Sequence, residues 1–147
     1  MGDFNIVLIN AKYHLVVAER MYQGYKEFTD KRFLIGVINE LAKAVSNLVK
    51  AFLVYENLGG KNAQKNMRIF MNTVAPKYLD ALARENLFKV LEIERAQKIS
   101  PIEYAKDEKI ILLIHGKYRF LTATRVGEFI KSVKESVADF PRNFRQI

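Results

Sequence analysis

The sequence contains no cysteine. That excludes a disulfide framework and thiol catalysis, and it fits a reducing cytoplasm. Histidine is nearly as scarce, with only His14 and His115 in the whole chain. Two histidines without a thiolate would need an unusual number of carboxylates to hold zinc, so no metal site is expected. No stretch of about 18 apolar residues occurs, so no membrane-spanning helix is expected. The opening residues lack a basic segment, an apolar run and a small-residue cleavage site in series, so no signal peptide is expected. The protein therefore reads as cytoplasmic. Gly59-Gly60 is not followed by the lysine and hydroxyl residue of a phosphate-binding loop. No serine sits in a small-x-Ser-x-small elbow. No cofactor is implied. Internal repeats and low-complexity linkers are also missing.

What remains is a chain of 147 residues, half of them hydrophobic and 12% aromatic. This is the length of about one domain, and folding at that size buries roughly 70% of the unfolded surface. The expectation is one domain over residues 1–147 with a real core. Net charge is +8 and uneven. Residues 1–60 carry 7 basic and 6 acidic groups, residues 61–100 carry 8 and 4, and residues 101–147 carry 9 and 6. The positive field belongs to the second half. It suits RNA or another polyanion; the plain alternative is that it only keeps the protein soluble.

Apolar residues recur at helical steps over most of the chain. A first helix is expected from an N-cap at Asp3 to Phe28. Its core stripe reads as Ile6, Ile9, Tyr13, Val16, Val17, Met21, Tyr25 and Phe28. Leu8, Leu15 and Tyr22 form a second stripe, which asks for burial by a further element or a partner subunit. Asp30 should cap a second helix with Leu34, Val37, Ile38, Leu41, Val45, Leu48, Phe52 and Tyr55 inward, until Gly59-Gly60 stops it. Ile35, Ala42 and Val49 add a stripe beside it. The short break at Thr29-Asp30 makes these two helices antiparallel neighbours. Within the second, Asn39 and Ser46 share a face; with Asn47 they line a small polar pocket or the solvent side.

A third helix is expected over 62–74, with Pro76 kinking or ending it. A fourth should run from about Pro76 to Lys98, burying Tyr78, Leu79, Leu82, Leu87, Val90, Leu91 and Ile93. Ser100-Pro101-Ile102-Glu103 has the capping-box pattern of a short helical turn. Lys109 to Ile114 is continuous and β-branched, His115-Gly116 breaks it, and Lys117 to Leu121 alternates. That pattern predicts a small β-hairpin at about 109–121, which must lie against the bundle because a lone hairpin is marginal. A last helix follows from about Thr124 to Phe140, with Val126, Phe129, Ile130, Val133 and Val137 inward. Pro141 ends it, and residues 142–147 form a basic tail. The fold class is therefore mainly α, an up-and-down four- or five-helix bundle with a small β-hairpin before the last helix.

Three stretches carry a family likeness: Ala18-Glu19-Arg20 with Tyr22 and Tyr25; Glu40-Leu41-Ala42-Lys43-Ala44-Val45 leading to Lys50-Ala51-Phe52-Leu53; and Leu91 to Tyr104. The pattern resembles the HEPN superfamily, and in particular an uncharacterised, mainly archaeal branch. The resemblance covers most of the chain. It implies a bundle that is commonly dimeric and linked to RNA cleavage or to toxin–antitoxin and defence systems. Catalytic members carry an arginine four to six residues before a histidine. Neither histidine here has an arginine four to seven positions before it, and Arg95 lies twenty residues upstream of His115. No catalytic residue carries over.

Lys117, Arg119, Arg125, Arg142 and Arg145, with Tyr118 and Phe120 interleaved, form the candidate nucleic-acid surface. Arginines bind phosphates, and an exposed aromatic stacks on a base. The alternative is that Tyr118 and Phe120 anchor the hairpin while the charges are simply solvated. His115, beside this cluster, is the single candidate for proton transfer; the bland reading is a solvent-exposed turn residue. His14 reads as a packed or interface histidine. Lys61, Lys65 and Arg68 make a second basic face, and the helix start beside Gly59-Gly60 suits an anion. The leading reading is a non-enzymatic binding or interaction module, homodimeric through its first helices, with a role near nucleic acid. The alternative is a divergent ribonuclease or toxin-like enzyme using His115.

Overall fold

Two helices of 25 residues each open the chain, α1 (Phe4–Phe28) and α2 (Lys31–Tyr55). The computed structural model describes residues 4–99, 104–106, 109–114 and 116–141. Asp3, residues 100–103, His115 and the tail at 142–147 lie outside the described residues. The turn between α1 and α2 is two residues long. Thr29 takes a left-handed backbone (φ 52°), and the Asp30 carboxylate accepts the Arg32 amide at 2.9 Å, as an N-cap should. The helices run antiparallel: Phe4 meets Tyr55 edge-on at 5.4 Å, and Phe28 stacks on Phe33 at 6.2 Å.

The stop of α2 comes earlier than the glycine pair. Asn57 holds the left-handed conformation (φ 58°). Its amide bonds to the Val54 carbonyl at 3.1 Å, and the Leu58 amide to Leu53 at 2.8 Å. These are the two bonds of a Schellman cap, with asparagine where glycine is commoner.

The next helical stretch is interrupted. Helix α3 (Ala63–Ile69) passes into a π-helical turn (Phe70–Val74) and then α4 (Ala75–Tyr78). Pro76 sits in the first turn of α4, directly after the π turn. The expected helix from Pro76 to Lys98 is split. Leu79 is extended, the Asp80 carboxylate accepts the Ala83 amide at 2.8 Å, and α5 (Ala81–Ile99) starts afresh. Leu82, expected inside, is exposed, because the new start turns it outward.

The hairpin before the last helix is present and gains a third strand. β1 (Tyr104–Lys106), β2 (Lys109–Ile114) and β3 (Lys117–Thr122) form an antiparallel sheet in the order β1-β2-β3. Gly116, with φ 76°, closes the β2–β3 turn. Helix α6 (Ala123–Ala138) follows with Thr122 as its cap. Counting α3–α4 as one interrupted helix, the described residues give a five-helix bundle carrying a small sheet.

The core runs through α1, α2, α5 and α6, and α6 touches the other three. Phe52 is its centre, within 5.6 Å of the rings of Phe70, Tyr78 and Phe140. On α2 the inward residues fall as expected. On α1 the expected stripe holds at Tyr25, and in part at Val17 and Met21, but fails over the rest of the helix, where the second stripe is the buried one. Leu8, Ala11, Leu15, Ala18 and Tyr25 are buried, whereas Ile6, Ile9, Tyr13, Val16 and Phe28 are 44% to 67% exposed. The reason is size: Ala11 and Ala18 sit on the buried side, where a close helix–helix approach favours small side chains. Ile6, Ile9, Tyr13 and Val16, which dominate a hydrophobicity reading, are left outside.

Candidate nucleic-acid interface

Register sorts the residues of β3. Arg119 pairs with Leu112, Leu121 with Ile110, Tyr118 with Leu113 and Phe120 with Ile111. Directly opposite residues share a face. Ile110, Leu112 and Leu121 are buried, so they anchor the sheet to the bundle, and Arg119 lies on their side. Tyr118 and Phe120 belong to the other face with the half-buried Ile111 and Leu113. Tyr118 is 67% exposed and Phe120 is 64% exposed. The reading of these two aromatics as anchors is thereby corrected, since Ile110, Leu112 and Leu121 do that work.

Around the strand lie the cations. Lys117 and Arg119 are exposed and make no ion pair among the described residues. Arg125 stands in the first turn of α6, bonded to Glu128 at 2.9 Å with its guanidinium 4.5 Å from the Phe129 ring centre. Four of the expected surface residues, Lys117, Tyr118, Arg119 and Arg125, are therefore brought to β3 and the start of α6. Arg142, Arg145 and His115 lie outside the described residues.

Sequence reasoning missed Lys89. It projects from α5 into a cleft of about 350 Å³, whose wall also carries Glu92, Arg119, Phe120 and Arg125 and whose floor includes Leu112 and Phe129. Lys89 has no ion pair among the described residues. Nothing local in the sequence marks it, since only the packing of α5 against the sheet brings it to β3.

The other expected features fall elsewhere. His14 Nδ1–H donates to Glu40 at 2.8 Å and so ties α1 to α2, as a packed histidine does. Burial pushes the Glu40 carboxyl up, but hydrogen bonds from His14 and Lys43 outweigh it and leave the group below its ordinary value. Ser46 faces a second, larger cleft of about 590 Å³ beside Met67, Phe88, Leu91 and Arg95. Asn39 lies apart from it, half-buried, its Oδ1 without a partner among the described residues. Asn47 Nδ2 donates to the Lys43 carbonyl at 2.9 Å. The three polar residues of α2 do not share one pocket. Lys61, Lys65 and Arg68 form an exposed basic face. The helix start beside it is already capped, the Asn62 side chain accepting the Lys65 amide at 2.9 Å, and Asn66 holds both the N–H and the carbonyl of Gly60, at 2.8 and 2.7 Å.

No family model, curated protein or solved structure matches the chain. Among the described residues no group of three histidine, cysteine, aspartate or glutamate side chains is placed to hold a metal ion. No described helix is long and apolar enough to cross a membrane.

Proposed function

We propose that this protein is a non-enzymatic, homodimeric binding module of the HEPN-like kind, and that its ligand is single-stranded nucleic acid, RNA in the first place. The observation that carries the reading is the exposed pair Tyr118 and Phe120 on the outer face of the sheet, alternating along β3 with Lys117 and Arg119, which lie on the opposite face. Burying an aromatic ring is favourable; two rings about two-thirds exposed on one small sheet face offer apolar surface to a ligand. Residues two apart on a strand stand about 6.6–6.8 Å apart, so an extended single strand can lay unstacked bases over both. A duplex keeps its bases inside and offers none. The neighbouring cations supply phosphate contacts, and the positive second half of the chain supplies attraction at longer range.

The dimer reading rests on α1. Ile6, Ile9, Tyr13 and Val16 form a continuous apolar stripe outside a core that is already complete. A second copy presents the same stripe, and a twofold axis across α1 would cover both at once.

The test is fluorescence anisotropy of labelled single-stranded RNA over a range of salt. Binding should weaken with a slope of about −0.7 per phosphate contact. Tyr118→Ala should weaken binding with little change of slope, and Arg119→Gln should lower the slope by about one contact. An absence of binding at low salt sinks the nucleic-acid reading. Cleavage of the RNA that is lost on replacing His115 by Ala would favour the ribonuclease alternative instead.

A further inference from the structure

Lys89, Arg119 and Arg125 come from three different elements, α5, β3 and α6, yet they line one cleft. The cleft opens on the buried side of β3, around the free edge of the strand from Tyr118. Phe120 forms part of its wall, so cleft and aromatic face are continuous. The carboxylate of Glu92 is the counter-charge on the wall, which leaves the cleft with a net charge of two positives before Glu128 is counted. Glu128 bonds one nitrogen of Arg125, at 2.9 Å. The guanidinium carries further N–H donors, so Arg125 can hold an anion without releasing Glu128. Lys89 and Arg119 make no ion pair among the described residues.

Which anion fits follows from connectivity. An internal phosphodiester has one negative charge and a chain leaving on both sides. Both flanking nucleotides would have to come back out of a cleft of about 350 Å³. A terminal phosphate monoester carries about −1.5 to −2 charges at neutral pH and has a chain on one side only. Against Glu92 and Glu128 the three cations leave a net charge of one positive, so charge admits either anion and connectivity selects the strand end. The apolar floor of Leu112 and Phe129 adds a low-dielectric wall, which strengthens the pairing.

We infer that the cleft between α5, β3 and α6 holds the terminal phosphate of the single strand whose bases lie over Tyr118 and Phe120. The inference rests on the proposed nucleic-acid reading and deepens it: the ligand is a strand end, and its phosphorylation state is read. Lys89 and Arg119 grip the phosphate oxygens, and Arg125 closes the third side.

The experiment uses one labelled single-stranded RNA sequence in four forms: 5′-phosphorylated, 3′-phosphorylated, unphosphorylated at both ends, and circular. Anisotropy at fixed salt gives each dissociation constant. One phosphorylated end should bind at least about tenfold tighter than the unphosphorylated strand, and the circle should bind as the unphosphorylated strand does. Lys89→Gln and Arg119→Gln should each abolish most of that preference. Tyr118→Ala should weaken all four forms by a similar factor and keep the preference. Far-UV circular dichroism checks that the variants fold; all three positions are on the surface. Equal binding of all four forms overturns the strand-end pocket and leaves the sheet reading standing. Binding of none overturns both. If inorganic phosphate or a nucleoside monophosphate competes with the unphosphorylated strand as well as with the phosphorylated one, the cleft takes a free anion and the strand-end assignment fails.

Discussion

The hydroxyl of Tyr22 lies over Gly127, so close that a Cβ added to the glycine would come within 2.7 Å of the phenolic oxygen. The same hydroxyl donates to the Ala123 carbonyl at 2.9 Å. One side chain of α1 thus fixes the first turns of α6, directly after β3. Two effects compete in Gly127→Ala. Replacing a helical glycine by alanine favours the helix by about 1 kcal/mol, and the overlap with Tyr22 costs about 1–3 kcal/mol. The overlap should win in the wild type, and urea unfolding should show a loss. In a Tyr22→Ala background the same substitution should be neutral or stabilising. An equal loss in both backgrounds would show that Tyr22 is not the cause.

At the far end of α2, the Tyr78 hydroxyl donates to Glu56, which also accepts from Lys77 at 2.9 Å. The tyrosine bond and then the lysine bond hold Glu56 below its ordinary value against a smaller effect of burial. In return Glu56, followed by burial, pushes Tyr78 up to about 12. For Glu56 the lowered value means stability that is present above the ordinary carboxyl range and lost as pH falls through the folded value. For Tyr78 the raised value means stability that is full below the ordinary tyrosine value of 10.0 and lost as pH rises through about 12. Tyr78→Phe should therefore cost about 1–2 kcal/mol across the range of about pH 5 to 10. Its difference from wild type should shrink on both sides of that range. Urea midpoints measured from pH 3 to pH 12 test this; a constant difference at every pH would contradict it.

Phe52 is fully buried and touches three other rings. Truncation to alanine should destabilise the protein by about 3–5 kcal/mol. Phe88→Ala removes a ring that is about half exposed and should cost far less. Thermal unfolding of the two variants side by side reads the contrast.

Ile9 is 62% exposed in the middle of the α1 stripe. Ile9→Glu should leave the stability of the single chain within about 0.5 kcal/mol, as exposed substitutions generally do. It should also turn the proposed dimer into a monomer in sedimentation velocity. A wild type that sediments as a monomer at high concentration would end the dimer reading.

Much of this architecture is legible in the residues. The period of α2, the Asp30 cap, the turn at Gly116 and the inward face of α6 all follow from local pattern. Three things do not. On α1, apolar residues occur around much of the helix, and periodicity cannot say which side a partner helix approaches; Ala11 and Ala18 decide it by being small. The split at Leu79 rests on Asp80 capping α5, a signal hidden inside an apolar run. The strand β1 is three residues long, and it exists only because β2 offers an edge. The candidate interface divides in the same way. Lys117 to Phe120 are contiguous and could be read together, whereas Lys89 reaches them only through the tertiary fold.

The π-helical turn at Phe70–Val74 has a consequence for the chain's tolerance of length change. A π turn closes its hydrogen bond one residue later than an α turn. The same axial distance therefore holds an additional residue, and that residue has no counterpart in a regular helix. Phe70 and Val74 point inward while Asn72 and Thr73 face water. Removing Asn72 would convert the turn to ordinary α-helix and would leave Phe70 and Val74 three apart, still on one side. In that regular helix, however, Pro76 would stand in the interior with its ring against the carbonyl four residues back, so the deletion is not absorbed without cost.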